Sequence, residues 1–208
     1  DVSIGLHDCE MDSPQITFVQ PELAKHARSM SDHGFDFERL VLEEDLFNQL
    51  ELKDRDGNAV RMIEARTFFP AVEEEQHSAC GECFELSLPV REAVRAARFW
   101  APIAPNVLEL REEPTTHMRF DAGGMPLGLS ESIALEAPSL SFRCADREGL
   151  DAIVERAGIA IDTFPGFEGA FARILAPEGT ALYLFDEDFL GEAYEVEEGG
   201  DPADFPIE

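Results

Sequence analysis

Basic residues are scarce in this chain. Its 208 residues carry 44 acidic side chains against 16 basic ones, a formal net charge of −28, and only Lys25 and Lys53 are lysines. A surface with this much negative charge repels phosphate backbones and anionic lipid headgroups. We therefore expect neither nucleic acid nor membrane as a partner. Abundant acids with few lysines are typical of a salt-loaded cytoplasm, although a GC-rich genome would also exchange Lys for Arg.

Long apolar runs are missing as well. No stretch approaches the roughly 20 apolar residues of a membrane-spanning helix. The hydrophobic content of 44% and the 16 Phe residues nevertheless exclude a disordered acidic polymer. The length fits one large or two small domains with a substantial core. We therefore expect a soluble, globular, cytoplasmic protein.

The four cysteines are too few for a disulfide framework. Cys80 and Cys83 follow His77 in a spacing that invites comparison with a zinc or redox site. A zinc knuckle needs a second close pair of ligands, and Cys9 and Cys144 do not supply one. Cys83 leads into an apparent strand among acidic neighbours, which raise a thiol pKa. We interpret these residues as reduced cysteines in a linker.

A strand-helix-strand-strand-strand pattern recurs along the chain. In the C-terminal copy, Ser139–Cys144 alternates like a half-buried strand, and the following helix ends at Gly158. The three strand-like runs after that helix are Ile159–Phe164, Ala170–Leu175 and Ala181–Phe185. The order is therefore βαβββ, and such repeats indicate a modular fold.

Two earlier copies show the same order. One runs from the strand Gln15–Gln20 to the strand Ala59–Glu64, and the other from Phe84–Leu88 to Met125–Leu129. A longer period is also visible, because the turn glycines Gly57 and Gly179 lie 122 residues apart. The sequence therefore predicts pairs of modules.

This double period predicts the domain organisation. We expect a truncated first paired-module domain at 1–66, consisting of the last strand of one module and a complete second module. An acidic linker at 67–82, a second paired-module domain at 83–188 and an acidic tail at 189–208 follow. If the chain begins at Asp1, the unpaired module requires a partner, and a homodimer would supply one.

Two segments carry a family resemblance. Leu88–Trp100 resembles the strand-to-helix segment of the vicinal oxygen chelate superfamily, and Asp54-Arg-Asp-Gly-Asn58 resembles its turn before the last strand. That superfamily includes glyoxalase I, bleomycin-resistance proteins and extradiol dioxygenases. The resemblance implies an α+β fold in which paired βαβββ modules curl their sheets around a cavity. It is a weak indication of the reaction, because one fold hosts many chemistries.

The resemblance also implies positions for metal ligands, in the first and last strand of each module. In the second pair these positions hold Glu85, Gly128, Ser139 and Tyr183, and in the first they hold Gly5, Gln15 and Arg61. A divalent metal needs three or four His or carboxylate ligands, and only Glu85 is a good one. We therefore expect no cofactor, while a divalent metal held by misassigned ligands or by the missing module remains the alternative.

Strand alternation places several polar and aromatic residues on one face. The ligand-binding candidates are Glu85, Ser139, Ser141, Arg143, Tyr183 and Phe185. Glu85 and Arg143 are interpreted either as contacts for a ligand's charge or as a buried structural ion pair. His117 faces away from its neighbours Met118 and Phe120, and we expect it to be a strand-surface histidine.

Two functions follow from this pattern. The first is a metal-independent binding protein of the glyoxalase/bleomycin-resistance type that holds a small organic molecule. The second is a metal-dependent lyase, isomerase or dioxygenase of the same superfamily acting on vicinal oxygens. The preserved module pattern combined with the lost ligand positions favours the first.

Overall fold

The fold is described from a computed structural model that covers residues 14–43, 48–65, 78–104, 106–112, 115–123, 125–133, 135–164, 170–176 and 179–186. The helices of these residues are α1 (Leu23–Asp32), α2 (Ala93–Trp100) and α3 (Arg147–Ala157). The strands are β1 (Gln15–Gln20), β2 (Arg39–Val41), β3 (Gln49–Lys53), β4 (Ala59–Glu64), β5 (Glu82–Pro89), β6 (Asn106–Arg111), β7 (His117–Asp121), β8 (Pro126–Ser130), β9 (Ser139–Cys144), β10 (Ile161–Thr163), β11 (Phe171–Leu175) and β12 (Ala181–Asp186).

Two sheets contain these strands. One has four strands in the order β1-β4-β3-β2, and the other has eight in the order β10-β11-β12-β9-β5-β8-β7-β6. In each module the first strand runs parallel to the last, as in β1 with β4, β5 with β8 and β9 with β12. The antiparallel pair β5 and β9 joins two modules into the larger sheet. The predicted α+β fold of repeated, paired βαβββ modules is confirmed.

Local sequence explains the element boundaries. The strands Gln15–Gln20, Ala59–Glu64 and Ser139–Cys144 have the predicted ends. In Ser139–Cys144 the alternation of apolar and polar residues is the signal. Helix α3 begins after Asp146, whose side chain accepts a hydrogen bond from Gly149 N at 2.9 Å. It ends at Gly158, where the left-handed φ of 68° suits glycine.

The larger of two hydrophobic clusters connects the two sheets. It contains residues of α1, β3 and β4 from the first sheet together with residues of β5, α2, β7 and β8 from the second. Trp100 and Phe120 are its largest fully buried side chains. The expectation that Trp100 belongs to the core is confirmed, and Phe99 packs against it in a partly buried position.

The turn that resembles the superfamily's motif fixes the two sheets together. Asp54 is 7% exposed and accepts hydrogen bonds from Asp56 N, Asn58 N and Asn58 Nδ2 at 2.9, 2.8 and 2.7 Å. Trp100 Nε1 in α2 donates to the same carboxylate at 3.2 Å. Asn58 Nδ2 also donates to Pro89 O in β5 at 3.2 Å. One buried carboxylate therefore shapes the turn and orients α2.

Some predictions fall outside the described residues. Positions 1–13, 66–77 and 187–208 are not described, so the truncated module, most of the linker and the tail stay predictions, as does the homodimer. Strand β5 begins at Glu82, the last residue assigned to the linker. In the part of the chain that the structure describes, no helix is both long and apolar enough to cross a membrane.

We predict that Asp54→Ala lowers the free energy of unfolding by about 3 kcal/mol, because it leaves several buried donors without an acceptor. Urea unfolding followed by the fluorescence of Trp100, the chain's single tryptophan, measures the change. The matched control is Asp56→Ala, which removes an ion pair to the exposed Arg91 and should cost less than about 1 kcal/mol. Equal losses in the two variants would contradict this account of the turn.

Candidate functional site

The face of the eight-stranded sheet opposite the helix-packed core carries the candidate site, and we call it the polar face. Glu85 opposes Ser141, which in turn opposes Tyr183, and Arg143 opposes Phe185. Ser139 lies two residues before Ser141 and therefore points the same way. The face thus includes every ligand-binding candidate from the sequence, namely Glu85, Ser139, Ser141, Arg143, Tyr183 and Phe185.

A β-bulge in β5 shapes the centre of this face. The register with β9 shifts between Cys83 and Glu85, so Phe84 is an extra residue on its strand. The Phe84 ring lies 5.8 Å from that of Phe185, centroid to centroid, in an edge-on arrangement. Since a bulge re-aims side chains, Phe84 and Glu85 both contribute to the polar face.

Glu85 is the most heavily bonded residue of the site. Its side chain is 3% exposed, and its Oε2 lies 3.0 Å from both His117 Nε2 and Arg119 Nε. Its Oε1 accepts a hydrogen bond from Ser87 Oγ at 2.5 Å. Arg119 also reaches Glu109, with Nη1 to Oε2 at 3.3 Å. The buried carboxylate is therefore surrounded by donors contributed by two strands.

Of the two interpretations of Glu85 and Arg143, the buried structural ion pair is wrong. Arg143 Nη1 lies 3.4 Å from Glu82 Oε2, in an ion pair whose two side chains are 40% and 71% exposed. The reason is the register, because Arg143 opposes Glu82 and the bulge sets Glu85 opposite Ser141. Arg143 and Glu85 share a face without forming a pair.

The expectation that His117 is a surface histidine is also wrong. His117 does point away from Met118, as alternation predicts, but that side is the polar face, and its side chain is only 13% exposed. Sequence reasoning also missed Arg119, two residues further along β7, and Glu109 in β6. The available signal was the spacing of His117 and Arg119, which places two donors on one side of a strand.

Gly128 makes this arrangement sterically possible. A Cβ atom at this position would lie 2.3 Å from Glu85 Oε1 and 2.8 Å from His117 Cε1. Real Cβ atoms do not approach other atoms so closely. The Glu85 carboxylate and the His117 ring therefore occupy the space that a side chain at residue 128 would need.

The surroundings of Glu85 decide its protonation. Burial raises the pKa of its carboxyl group, but the hydrogen bonds from His117 and Ser87 and the charges of His117 and Arg119 together hold the pKa below its usual value. The residue is therefore a carboxylate at neutral pH. It cannot act as a general acid there, and its lone pairs are directed at protein donors.

Aromatic rings line the other half of the polar face. Phe171 stacks on Phe164 with centroids 4.8 Å apart and on Phe185 at 5.7 Å. Tyr183 lies 6.5 Å from Phe185. These four rings are neither fully buried nor fully exposed. With Phe84 they form an aromatic row beside the charged cluster around Glu85.

The three cysteines that the structure describes show no recognisable chemistry. Cys80, Cys83 and Cys144 are free thiols, and Cys83 lies within β5 rather than in a linker. Burial, as the largest cause, raises the pKa of the Cys83 thiol to about 11, so thiolate is scarce at neutral pH. In the described ranges, no group of three or more His, Cys, Asp or Glu residues is arranged to hold a metal ion.

Two surface hollows lie away from the polar face. One, of about 520 Å³, is bordered by charged residues of and around α2, including Arg95 and Glu131. The other, of about 250 Å³, lies beside Cys144 and the start of α3. Neither hollow is lined by a set of side chains suited to recognise one kind of ligand, so the polar face remains the candidate site.

The arrangement of strands and modules is that of the vicinal oxygen chelate superfamily, and the chain has its fold. Similar solved structures include a catechol 2,3-dioxygenase (TM-score 0.56, 12% identity, 83% of this chain and 67% of that one). The Mn(II)-bound glyoxalase from Novosphingobium aromaticivorans gives a TM-score of 0.58 at 10% identity, over 83% of this chain and 62% of that one. The 2,3-dioxygenase LapB from Pseudomonas sp. KL28 gives 0.52 at 12% identity, over 79% and 67%.

These likenesses establish the fold and no more, since identity is so low. The chain spans about two thirds of the length of the structures it matches. No protein-family model matches the sequence, and no curated protein sequence matches it either. The function therefore depends on the residues of the polar face and does not follow from the fold.

The residues at the superfamily's metal positions do not fit a divalent ion. Gly128 has no side chain, Ser139 and Tyr183 are weak ligands, and Glu85 alone offers a carboxylate. Both oxygens of that carboxylate already accept from protein groups. The Arg119 guanidinium, 3.0 Å from Oε2, also opposes a second positive charge.

We predict that Glu85→Gln destabilises the protein most at neutral pH, by about 3 kcal/mol, because it breaks a buried ion pair. A carboxyl group whose pKa is lowered by folding contributes stability above its unfolded pKa, near 4.5, and loses it as the pH falls through the folded value. The difference in unfolding free energy between wild type and variant, measured by urea titration, should therefore become smaller below pH 4.5. The control is Glu92→Gln, which changes an exposed carboxylate. A difference in unfolding free energy for Glu85→Gln that does not vary with pH would refute the assignment of Glu85 as a buried, ionised carboxylate.

We predict that Gly128→Ala displaces the Glu85 carboxylate and costs about 2 kcal/mol, as overpacking does in a filled site. Ser130→Ala, two residues along the same strand, should cost less than about 1 kcal/mol. Thermal unfolding measures the stabilities, and the imidazole NMR signals of His117 report whether its bond to Glu85 survives. An alanine variant with wild-type stability and an unchanged His117 signal would argue against the steric role of Gly128.

Proposed function

We propose that this chain is a metal-independent binding protein for a small organic molecule, with the polar face as its binding surface. The observation that carries the proposal is the state of Glu85. It is the one strong metal ligand at the superfamily's positions, and Ser87, His117 and Arg119 already contact its two oxygens. The chain keeps the fold, but the carboxylate that would bind a metal forms an ion pair within the protein instead.

The composition of the face supports a binding role. The half-buried rings of Phe171, Tyr183 and Phe185 offer an apolar surface of the kind that aromatic or planar molecules cover. The charged cluster around Glu85 borders these rings on one side only. Such a surface favours a ligand with an apolar plane and one polar edge.

A metal-dependent lyase, isomerase or dioxygenase is the competing proposal. The names of similar structures include a Mn(II)-bound glyoxalase and dioxygenases, and His117 and Glu85 are residues of types that metals use. For such an enzyme, Arg119 would have to leave Glu85 before an ion entered. A metal bound in a one-to-one ratio would favour this alternative.

We predict that aromatic fragments raise the unfolding temperature equally in EDTA and in Mn²⁺, because binding stabilises the folded state without a metal. Phe185→Ala should abolish these shifts, while Leu108→Ala, a truncation at a half-exposed side chain on β6, should leave them unchanged. The measurement is a thermal-shift screen on protein purified without chelator or affinity-tag metal, with elemental analysis of the same sample. Shifts that occur only with Mn²⁺, or about one bound metal per chain, would contradict the proposal.

A further inference from the structure

We propose that the outer edge of β1, the edge that faces away from β4, is an interaction surface for a second copy of this chain. The second copy adds its own β1 in antiparallel orientation, so that the two four-stranded sheets form one continuous eight-stranded sheet around a two-fold axis. The inference is independent of the proposed function, because β1 belongs to the smaller sheet and the polar face to the larger one.

The larger sheet shows how the first strands of two modules pair. Its modules meet where β5 and β9, the first strand of each, pair antiparallel along the edges that face away from β8 and β12. Strand β1 is the first strand of the remaining module and pairs with β4 as β5 does with β8. In the part of the chain that the structure describes, no strand pairs with the outer edge of β1. The same kind of edge is therefore paired in two modules and open in the third.

The sequence of β1 is unusual for an open sheet edge. Exposed edge strands are commonly very short or carry charged residues or proline, which prevents the addition of another strand. Of the four strands that end the two described sheets, β2 and β10 have three residues each, and β6 contains Glu109 and Arg111. Strand β1 has six residues and no charge. Four of these residues are of the β-branched and aromatic types that favour strands, namely Ile16, Thr17, Phe18 and Val19.

The charge of the smaller sheet also favours contact there. Two copies of a chain with a net charge of −28 repel each other, so contact is least unfavourable where acidic groups are sparse. The face of this sheet opposite the core carries Arg39, Lys53 and Arg61 against one carboxylate, that of Glu51. With Glu38, which contacts Lys53 at 3.5 Å, the face is still net positive.

Backbone groups at the outer edge of β1 are oriented to accept a strand. Ala65 N, directly after β4, donates to Gln20 O at 3.4 Å, so the carbonyl group of Gln20 faces β4. The N–H and C=O groups of alternate residues in a strand point to opposite sides, so those of Gln15 and Thr17 point away from β4. Two opposite residues with this orientation exchange two hydrogen bonds in an antiparallel pair.

The pairing of β5 with β9 predicts the register of the two copies. Gln15, Glu85 and Ser139 are equivalent, since each lies seven residues before the N-cap residue of the following helix. In the larger sheet, the residue after Glu85 opposes the residue after Ser139. The same register sets Ile16 opposite Ile16 of the second copy and Gln15 opposite Thr17. Two such pairs of Gln15 with Thr17 give about four hydrogen bonds between the copies.

The first test is sedimentation equilibrium of the whole chain in about 1 M NaCl, where a Debye length of about 3 Å removes the repulsion between two acidic copies. We expect twice the mass of one chain, and slow hydrogen exchange of the Gln15 and Thr17 amides only when the dimer forms. An isotope-filtered NOE between Ile16 of a labelled and an unlabelled copy reports the register, because their Cα atoms lie about 4.5 Å apart. A monomer would overturn the inference, and so would slow exchange of these amides in the monomer, since another segment of the same chain would then cover the edge.

A matched pair of variants at one position tests the edge itself. Thr17→Pro removes an N–H group that proline can lack at a solvent-facing edge but that the dimer uses once in each copy. The dissociation constant of the dimer should rise about thirtyfold, because two main-chain hydrogen bonds are lost. Thr17→Val keeps the N–H group and the β-branched shape, and should leave the constant unchanged. An equally stable dimer of folded Thr17→Pro would contradict the inference, and if that variant does not fold, hydrogen exchange and the NOE on the wild type decide.

Discussion

The burial of one carboxylate governs this site. Glu85 sits in the middle of an eight-stranded sheet with 3% of its side chain exposed, and a buried carboxylate is tolerated only where donors and counter-charges surround it. Ser87, His117 and Arg119 meet that requirement from β5 and β7, and the missing side chain at Gly128 leaves the space in which they meet. The same contacts engage both oxygen atoms that a metal ion would use.

The rest of the fold holds these strands in register. The first and last strands of each module pair in parallel, which brings β8 and its glycine beside β5. The bulge at Phe84 turns Glu85 onto the polar face and adds a ring to the aromatic row. On the opposite side of the sheet, α2 packs into the core shared by both sheets, and Asp54 bonds its final residue, Trp100. The polar face and its aromatic row therefore lie on the side of the sheet opposite this core.

Much of the fold is readable from the sequence, and the pairing of side chains is not. Alternation fixed the ends of Ser139–Cys144 and the face of each candidate, since side-chain period follows directly from strand geometry. A bulge adds one residue without a recognisable signal in the alternation, so the shared face of Glu85 and Arg143 does not reveal that Arg143 opposes Glu82 instead. The partner of His117 cannot be predicted from the sequence, because only the three-dimensional register shows that its side chain reaches across Gly128 to a residue 32 positions earlier.

The most direct measurement of the central claim, that protein groups rather than a metal neutralise Glu85, is paramagnetic broadening of amide NMR signals by one equivalent of Mn²⁺. A chain of net charge −28 attracts the ion diffusely, so the position of the broadening is informative. This account predicts that the amides of Ser87, Gly128 and Ser141 remain sharp while signals of exposed acidic surfaces weaken. Selective loss of those three signals would place a metal on Glu85 and contradict it.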